Sequence, residues 1–476
     1  MLIRRSRTPA RARPAPSESP AGDPRVASAP DDWWYSSRRK FLGRFAGVAA
    51  GATALGPLSV EALATPTLRA PGVADLPEQG QATDESYWRA VRDLFPLRDG
   101  LIVVNAANLC PSSYPVMEAE LTYVRDVNRD PSLQNRGKFS GLREEAREML
   151  AAYVGADPEE IAIVHNTTAG NNQVVWGLDY QPGDEIVVWS QNHPTNNIAW
   201  DIVAQRYGLV VHKVDTPPDP ADPRDLIGPF LEAMGPRTRM LALTHVSNVS
   251  GVLLPAAELC ALARERGVIT LVDGVQTFGA LNLDLHAMGC DFYTASTHKW
   301  LTGPRQNGIL YVRRERVRDL WPSIVGVGYG PQVEESARKF ETLGQRNDAT
   351  LSAIAPALEM HQRIGPERVE RRVRALASAS RRALSERVPG VRFHTPADPR
   401  MAGGVLVFAV PGTDHGELYN RLYGEAGVAC ARMSGTFDGV RFSPHIYNTL
   451  DQVERAAAAV AELTRGGLRS PTGVEA

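Results

Sequence analysis

From residue 101 to residue 312 the chain alternates short apolar runs of strand length with longer amphipathic stretches of helical period, and this alternation most constrains its fold. The strand candidates are Leu101 to Val104, Ile161 to Val164, Glu185 to Trp189, Leu209 to Val214, Met240 to Thr244, Val268 to Val272, Phe292 to Ala295 and Gly308 to Val312. Between them lie helical segments such as Leu142 to Tyr153, Asn196 to Tyr207 and Pro255 to Arg266, the last followed by Gly267, a residue suited to a helix C-terminus. Near-continuous apolar strands separated by helices predict a largely parallel sheet covered on both faces, an α/β architecture. Such a sheet binds its ligands at the C-terminal ends of the strands. Beyond about Phe340 the pattern changes to long Ala/Arg/Glu helices (Ser352 to Ile364, Glu367 to Val388), a short strand near Val405 to Val410 and a final helix from Asp451. That predicts a second, smaller α+β domain.

Charge separates the first residues from the rest. The 476 residues carry 52 Lys+Arg against 54 Asp+Glu, a net charge of -2, which excludes a chain built to neutralise many nucleic-acid phosphates. Five arginines, Arg4, Arg5, Arg7, Arg11 and Arg13, crowd the N-terminus, and Ser37-Arg38-Arg39-Lys40-Phe41-Leu42 precedes a Gly/Ala-rich run from Phe45 to Leu58 and then Ala62-Leu63-Ala64. A run of 14 residues is short of the ~20 a membrane span needs. With the Arg-Arg pair before it and a small-x-small site after it, the segment resembles a twin-arginine export signal, the alternative being a basic tail beside a Gly/Ala helix. That resemblance implies export of an already folded protein, and hence a cofactor inserted beforehand. Residues 1–64 hold 10 Lys/Arg and 5 Asp/Glu, so the remaining 412 residues carry 42 against 49, a net charge of -7. The four cysteines, Cys110, Cys260, Cys290 and Cys430, form no C-x-x-C, and no His-x-x-x-His pair occurs; neither a disulfide framework nor a metal site is expected.

Two strand ends carry the chemistry. The run Val268 to Val272 delivers Asp273-Gly-Val-Gln276, and Phe292 to Ala295 delivers Ser296-Thr297-His298-Lys299. A carboxylate, an amide and a lysine preceded by His and Ser thus converge on one edge of the sheet. Pyridoxal 5'-phosphate makes this set of demands: an amine for its aldehyde, a carboxylate for its pyridine nitrogen, a cup for its phosphate and a group stacked on its ring. Lys299 and Asp273 meet the first two. The run Ile161 to Val164 leads into His165-Asn166-Thr167-Thr168-Ala169-Gly170-Asn171-Asn172 and a helix, where N–H groups and hydroxyls favour an anion. Thr167 and Thr168 are equally able to serve as plain N-caps.

These residues resemble the class V aminotransferase family of fold type I pyridoxal-phosphate enzymes, over nearly all of the chain after the signal. The family's Asp-x-x-Gln/His and Ser-x-His-Lys correspond to Asp273, Gln276, Ser296, His298 and Lys299. The resemblance implies a mostly parallel seven-stranded sheet flanked by helices, with a smaller C-terminal α+β domain. It implies Lys299 as the Schiff-base lysine, Asp273 as the pyridinium partner and Gln276 as a donor to the ring oxygen. Thr168 with the backbone of Thr167, Ser296 and His298 would hold the phosphate. His193, in Asn192-His193-Pro-Thr-Asn196-Asn-Ile-Ala-Trp200, is similar to the family's stacking histidine, and Asn248 to its asparagine beside the ring oxygen. Arg441, in Arg441-Phe-Ser443-Pro-His445-Ile-Tyr447-Asn448, resembles the family arginine that grips a substrate carboxylate, which implies an amino-acid-like substrate. A homodimer is expected. The expected organisation is residues 1–64 as signal region, 65–100 as linker and N-terminal segment, 101–340 as the large cofactor-binding domain and 341–476 as the small domain.

Within the family, Asn105-Ala-Ala-Asn-Leu-Cys110-Pro and Gly344-Gln345-Arg346-Asn347-Asp348 look closest to the isopenicillin N epimerase-like branch. Where the family has Gly-Thr, with the threonine on the neighbouring subunit's phosphate, this chain has Gly344-Gln345, leaving Gln345 or Arg346 for that contact. The desulfurase branch carries a nucleophilic Cys in a loop before the arginine. Here 431–440 hold no Cys and Cys430 falls in an apparent strand, which leaves a C–S lyase without a loop Cys as the alternative. The triple glycine Gly326-x-Gly328-x-Gly330 raises a nicotinamide-binding alternative, but no clear strand precedes it. A non-catalytic exported binding protein would have no need of Lys299.

Overall fold

The computed structural model describes residues 71–78 and 84–465. The export signal expected in residues 1–64 lies outside them. Thirteen strands run through the described chain. They are β1 (Ile102–Val103), β2 (Ile161–Val164), β3 (Glu185–Trp189), β4 (Val210–Val214), β5 (Thr238–Thr244), β6 (Ile269–Asp273), β7 (Phe292–Ser296), β8 (Gly308–Val312), β9 (Arg392–Phe393), β10 (Leu406–Ala409), β11 (Val428–Ala429), β12 (Ala431–Met433) and β13 (Gly439–Phe442). Seven form one sheet in the order β2-β8-β7-β6-β5-β3-β4. The pairs among β7, β6, β5, β3 and β4 are parallel, and only β8 runs against the rest.

Strand periodicity explains why these segments read as unbroken apolar runs. Successive side chains point to opposite faces, and both faces are covered. Ile161, Ile163, Val187, Trp189, Leu241 and Leu243 enter one core, whereas their alternates Ala162, Val164, Ile186, Val188, Met240 and Ala242 enter the other. The first core packs beneath the helices Lys138–Val154, Ala256–Glu265 and Ile354–Ile364; the second lies beneath Thr167–Gly177 and Pro194–Tyr207. Gly267 follows its helix at φ +71°, a left-handed conformation open to glycine without Cβ strain.

The second sheet is antiparallel, in the order β12-β13-β10-β9, and packs with the helices Pro366–Arg387, His415–Ala426 and Leu450–Thr464 around Phe408, Phe442, Leu418, Leu422 and Val460. One expected strand goes elsewhere. Residues 102–103, read above at the head of the large domain, pair in parallel with β11, and Ile102 and Val104 enter the core of the smaller sheet. An apolar run specifies a strand but not the sheet that accepts it. Among the described residues no helix is long and apolar enough to cross a membrane.

A buried ion pair fixes β2, the edge strand that leads into the Thr167 helix. Arg147, 1% exposed, donates Nη1 to Glu341 Oε1 at 2.5 Å and Nη2 to Oε2 at 2.9 Å, and Nη1 also donates to Ile161 O at 2.6 Å. Glu341 in turn accepts the N–H of Ile163. Removing Glu341 takes away the buried counter-charge of Arg147, leaving it only the more exposed Glu144 at 3.0 Å, and orphans the Ile163 N–H, so Glu341→Ala should lower the unfolding free energy by about 3 kcal/mol. Denaturant unfolding checks this. The double variant Arg147→Met/Glu341→Leu should lose much less, and an equal loss would contradict the assignment.

Candidate active site

The C-terminal ends of the parallel strands deliver the polar groups, as the alternation predicts. Thr244, Asp273 and Thr294 stand abreast on β5, β6 and β7. Asp273 is the last residue of β6, and the backbone leaving it has no room for a side chain: a Cβ on Gly274 would lie 1.9 Å from Tyr293 Cζ. The Asp273 carboxylate, 1% exposed, accepts Asn171 Nδ2 at 3.0 Å and the Val275 N–H at 3.2 Å. Asn171 is itself held by the Thr294 hydroxyl, which donates to its Oδ1 at 2.6 Å. Burial pushes the Asp273 carboxyl up, opposed by those two donors and by the charge of Lys299. No cation forms an ion pair with Asp273 among the described residues.

Lys299 sits in a tight turn after β7. The turn closes through Thr302 N–H to Lys299 O at 2.8 Å and Gly303 N–H to Thr297 O at 2.8 Å, with Thr302 at φ +55°. It is pinned from outside by Cys110 N–H to His298 O at 3.0 Å and by His445 Nε2 to Trp300 O at 2.6 Å. Desolvation lowers the Lys299 amine to about 8, against the opposing pull of Asp273 and with the help of Arg441. An amine titrating there is available as a neutral nucleophile or base near neutral pH.

The phosphate end is resolved by one residue. Asn166, not Thr167 or Thr168, caps the helix, its Oδ1 accepting the Ala169 N–H at 2.9 Å. The Thr167 N–H donates to Ser296 Oγ at 2.9 Å and the two hydroxyls lie 2.6 Å apart, joining the ends of β2 and β7, while Thr168 is exposed at the same helix start. His298, half-buried, is lowered to about 4 by desolvation, then by Lys299, Arg305 and His165, so it is neutral at pH 7. His193 caps the next helix: Nδ1 accepts the Thr195 N–H at 3.3 Å and lies 2.8 Å from its hydroxyl, which puts the ring proton on Nε2. Desolvation lowers it, and Lys299, Asp273 and Arg441 are its charged neighbours.

Gln276 is more committed than its expected role implies. Its Nε2 donates to Ala107 O at 2.9 Å and its Oε1 accepts Trp300 Nε1 at 2.8 Å, leaving one amide hydrogen for any ring oxygen. Asn248 enters through its backbone, whose carbonyl accepts Arg441 Nη1 at 2.9 Å. Gln345 and Arg346 bond within their own chain: Arg136 Nη1 donates to Gln345 Oε1 at 2.9 Å, and Arg346 Nη1 donates to Ile163 O at 2.9 Å.

Arg441, on β13, is only 5% exposed. Its Nη2 donates to Asn105 Oδ1 at 3.1 Å, its Nε has no partner, and no carboxylate pairs with it among the described residues. Desolvation lowers it to about 10. A surface ion pair is thereby excluded for this arginine. Cys430, 4% exposed, is pushed up to about 12 by burial and is a core thiol rather than a nucleophile. The glycines Gly326, Gly328 and Gly330 lie in a loop that precedes a four-residue helix, with no strand after Val312 to lead into them, so the dinucleotide alternative lacks its strand–turn–helix frame. Asn171 and Asn105, which had no expected role, join the site through Asp273 and Arg441.

The residues fit pyridoxal 5'-phosphate. A buried carboxylate lacking a cation, a desolvated amine, and N–H and hydroxyl groups at a helix start are the complements of its pyridine nitrogen, aldehyde and phosphate. Comparison with known proteins agrees. The aminotransferase class-V family model matches residues 107–456. Isopenicillin N epimerase of Streptomyces clavuligerus is 34% identical over 392 residues, 79% of this chain and 98% of that protein. A probable cysteine desulfurase of Xylella fastidiosa is 30% identical over 409 residues, 79% of this chain and 96% of that protein. Among solved structures, the apo cysteine desulfurase of Thermococcus onnurineus NA1 superposes with a TM-score of 0.71 at 26% identity, covering 79% of this chain and 98% of that one. A C-DES variant with glycine covalently linked to its PLP cofactor superposes at 0.71 and 25% identity, covering 78% of this chain and 99% of that one. The chain therefore belongs to the aminotransferase class V family, fold type I enzymes that depend on pyridoxal 5'-phosphate.

Proposed function

We propose that this enzyme inverts the α-carbon of an amino-acid-like substrate that it holds by the carboxylate. The observation that carries the reading is Arg441, a buried guanidinium with neutral acceptors and an unpaired Nε, in the same site as the Lys299 amine. A buried charge of this kind is tolerated where a ligand completes it, and a planar carboxylate matches the guanidinium fork. The similarity to isopenicillin N epimerases over nearly their whole length supports inversion among the reactions open to the family.

When bound, pyridoxal 5'-phosphate supplies an electron sink for negative charge at the α-carbon. The chain supplies the rest. Asp273 would hold a proton on the pyridine nitrogen, and Thr167, Thr168, Ser296 and His298 would hold the phosphate. Arg441 fixes the carboxylate, so that one α-substituent is immobile while the proton moves. Lys299, with its amine near 8, takes that proton on its own side. His193 is the other titratable group in the field of Lys299, Asp273 and Arg441, and we assign it to return a proton as the imidazolium, which leaves it as the neutral ring. Sulfur extraction is disfavoured because Cys430 is a core thiol and 431–440 hold no Cys.

Two measurements test this. Incubated with D- and L-amino acids in deuterated water, the holoenzyme should place deuterium at the α-carbon of an accepted substrate and form its mirror image. Keto acid or sulfide released without inversion would overturn the reading. Capture of added cofactor by the stripped protein should accelerate as pH rises through about 8 and level off above it, because the free-base fraction of Lys299 grows across that range. A rate that keeps rising toward the ordinary lysine range, near ~10.4, would contradict the lowered amine.

A further inference from the structure

A strap of chain running from β1 to Cys110 ties the carboxylate clamp to the lysine turn. Beyond β1, Asn105 forms a parallel bridge with Ser443, two residues past Arg441. The Ser443 N–H donates to Val104 O at 2.8 Å, the Ala106 N–H to Ser443 O at 3.0 Å, and the Ala107 N–H to Ser443 Oγ at 3.1 Å. The same strap then offers Ala107 O to Gln276 and the Cys110 N–H to His298 O. Its backbone is thus fixed at both ends, and the Asn105 side chain is presented to Arg441 at 3.1 Å.

The chemistry of that contact is specific. A guanidinium has five N–H donors, and Arg441 commits donors to two acceptors, the Asn105 amide oxygen and the Asn248 carbonyl. Both acceptors are neutral. They orient the fork without cancelling its charge, and the remaining donors stay available. An aspartate at 105 would have nearly the same shape, yet it would form an intramolecular ion pair in a buried setting and compete with any incoming carboxylate.

We propose that Asn105 is the positioning residue that sets the enzyme's selectivity for a substrate carboxylate, by holding Arg441 with a neutral acceptor. This rests on the reading of Arg441 as the carboxylate clamp, and the variants are chosen to separate the two. The probes are glycine and methylamine, which differ by the carboxylate alone, titrated against the visible absorption of the holoenzyme. Asn105→Asp should raise the half-saturating glycine concentration by about tenfold or more while moving methylamine by less than about threefold. It should also raise the melting temperature measured without added amine, since the buried guanidinium gains a counter-charge. Asn105→Ser, neutral but shorter, should keep a preference for glycine. Equal shifts for both probes, or an unchanged glycine value in Asn105→Asp, would overturn the proposal. Arg441→Ala separates the layers: if it raises the glycine value and Asn105→Asp does not, the role of Asn105 falls alone. If Arg441→Ala leaves glycine unchanged, the clamp itself falls.

Discussion

The site depends on three charged groups, Asp273 and Arg441 buried and Lys299 partly buried, that form ion pairs neither with one another nor with any other described residue. Asp273, Lys299 and Arg441 each carry a desolvation cost that shifts them toward neutrality, and none forms an ion pair among the described residues. Elsewhere in the same molecule a buried arginine is matched in full, as Arg147 is by Glu341. The fold can therefore complete a buried charge with a counter-charge, although it also holds Arg368 over the Tyr87 ring and Lys339 on the Val317 carbonyl without one among the described residues. At the strand ends it supplies neutral partners instead: Asn171 and the Val275 N–H for Asp273, and Asn105 and the Asn248 carbonyl for Arg441. A cofactor cation and a substrate anion are the natural complements of what is left.

The scaffold makes that arrangement affordable. Six strands pointing one way bring their C-terminal ends to a common edge, and only β8 runs back between β2 and β7. Its start, Gly308, pairs with both Val164 and Ser296, so the ends of β2 and β7 meet and Thr167 reaches Ser296. The smaller sheet adds Arg441 from the other side, and the strap through Asn105 links both parts of the site. Chemistry in this family resides in such groups and not in the sheet itself, which explains how one frame serves epimerases and desulfurases alike.

Much of this was legible in the residues. The inner strands of the large sheet announced themselves because burial on both faces makes them nearly continuous apolar runs, whereas the edge strand β4 carries His212 and an exposed Lys213, and the Asp273 and Ser296-Thr297-His298-Lys299 signatures follow two of the inner strands directly. The missed parts share a physical cause. Asn105 meets Arg441 across 336 residues and Asn171 meets Asp273 across 102, and a polar side chain carries no local signal of so distant a partner. The placement of β1 failed for the same reason, since it pairs with β11, far along the chain, in a two-stranded sheet of their own. The choice between Asn166 and the two threonines as helix cap turned on a shift of a single residue, which composition cannot resolve because Asn and Thr both cap well.

The central claim is that Lys299 is the amine to which these unpaired charges direct pyridoxal 5'-phosphate. Reduction of the reconstituted holoenzyme with borohydride, followed by proteolysis and mass mapping, tests it most directly. The account predicts one phosphopyridoxyl adduct per chain, on the peptide containing Lys299, and its loss in Asp273→Ala protein given the same cofactor concentration. An adduct on another lysine, or none on Lys299, would contradict it.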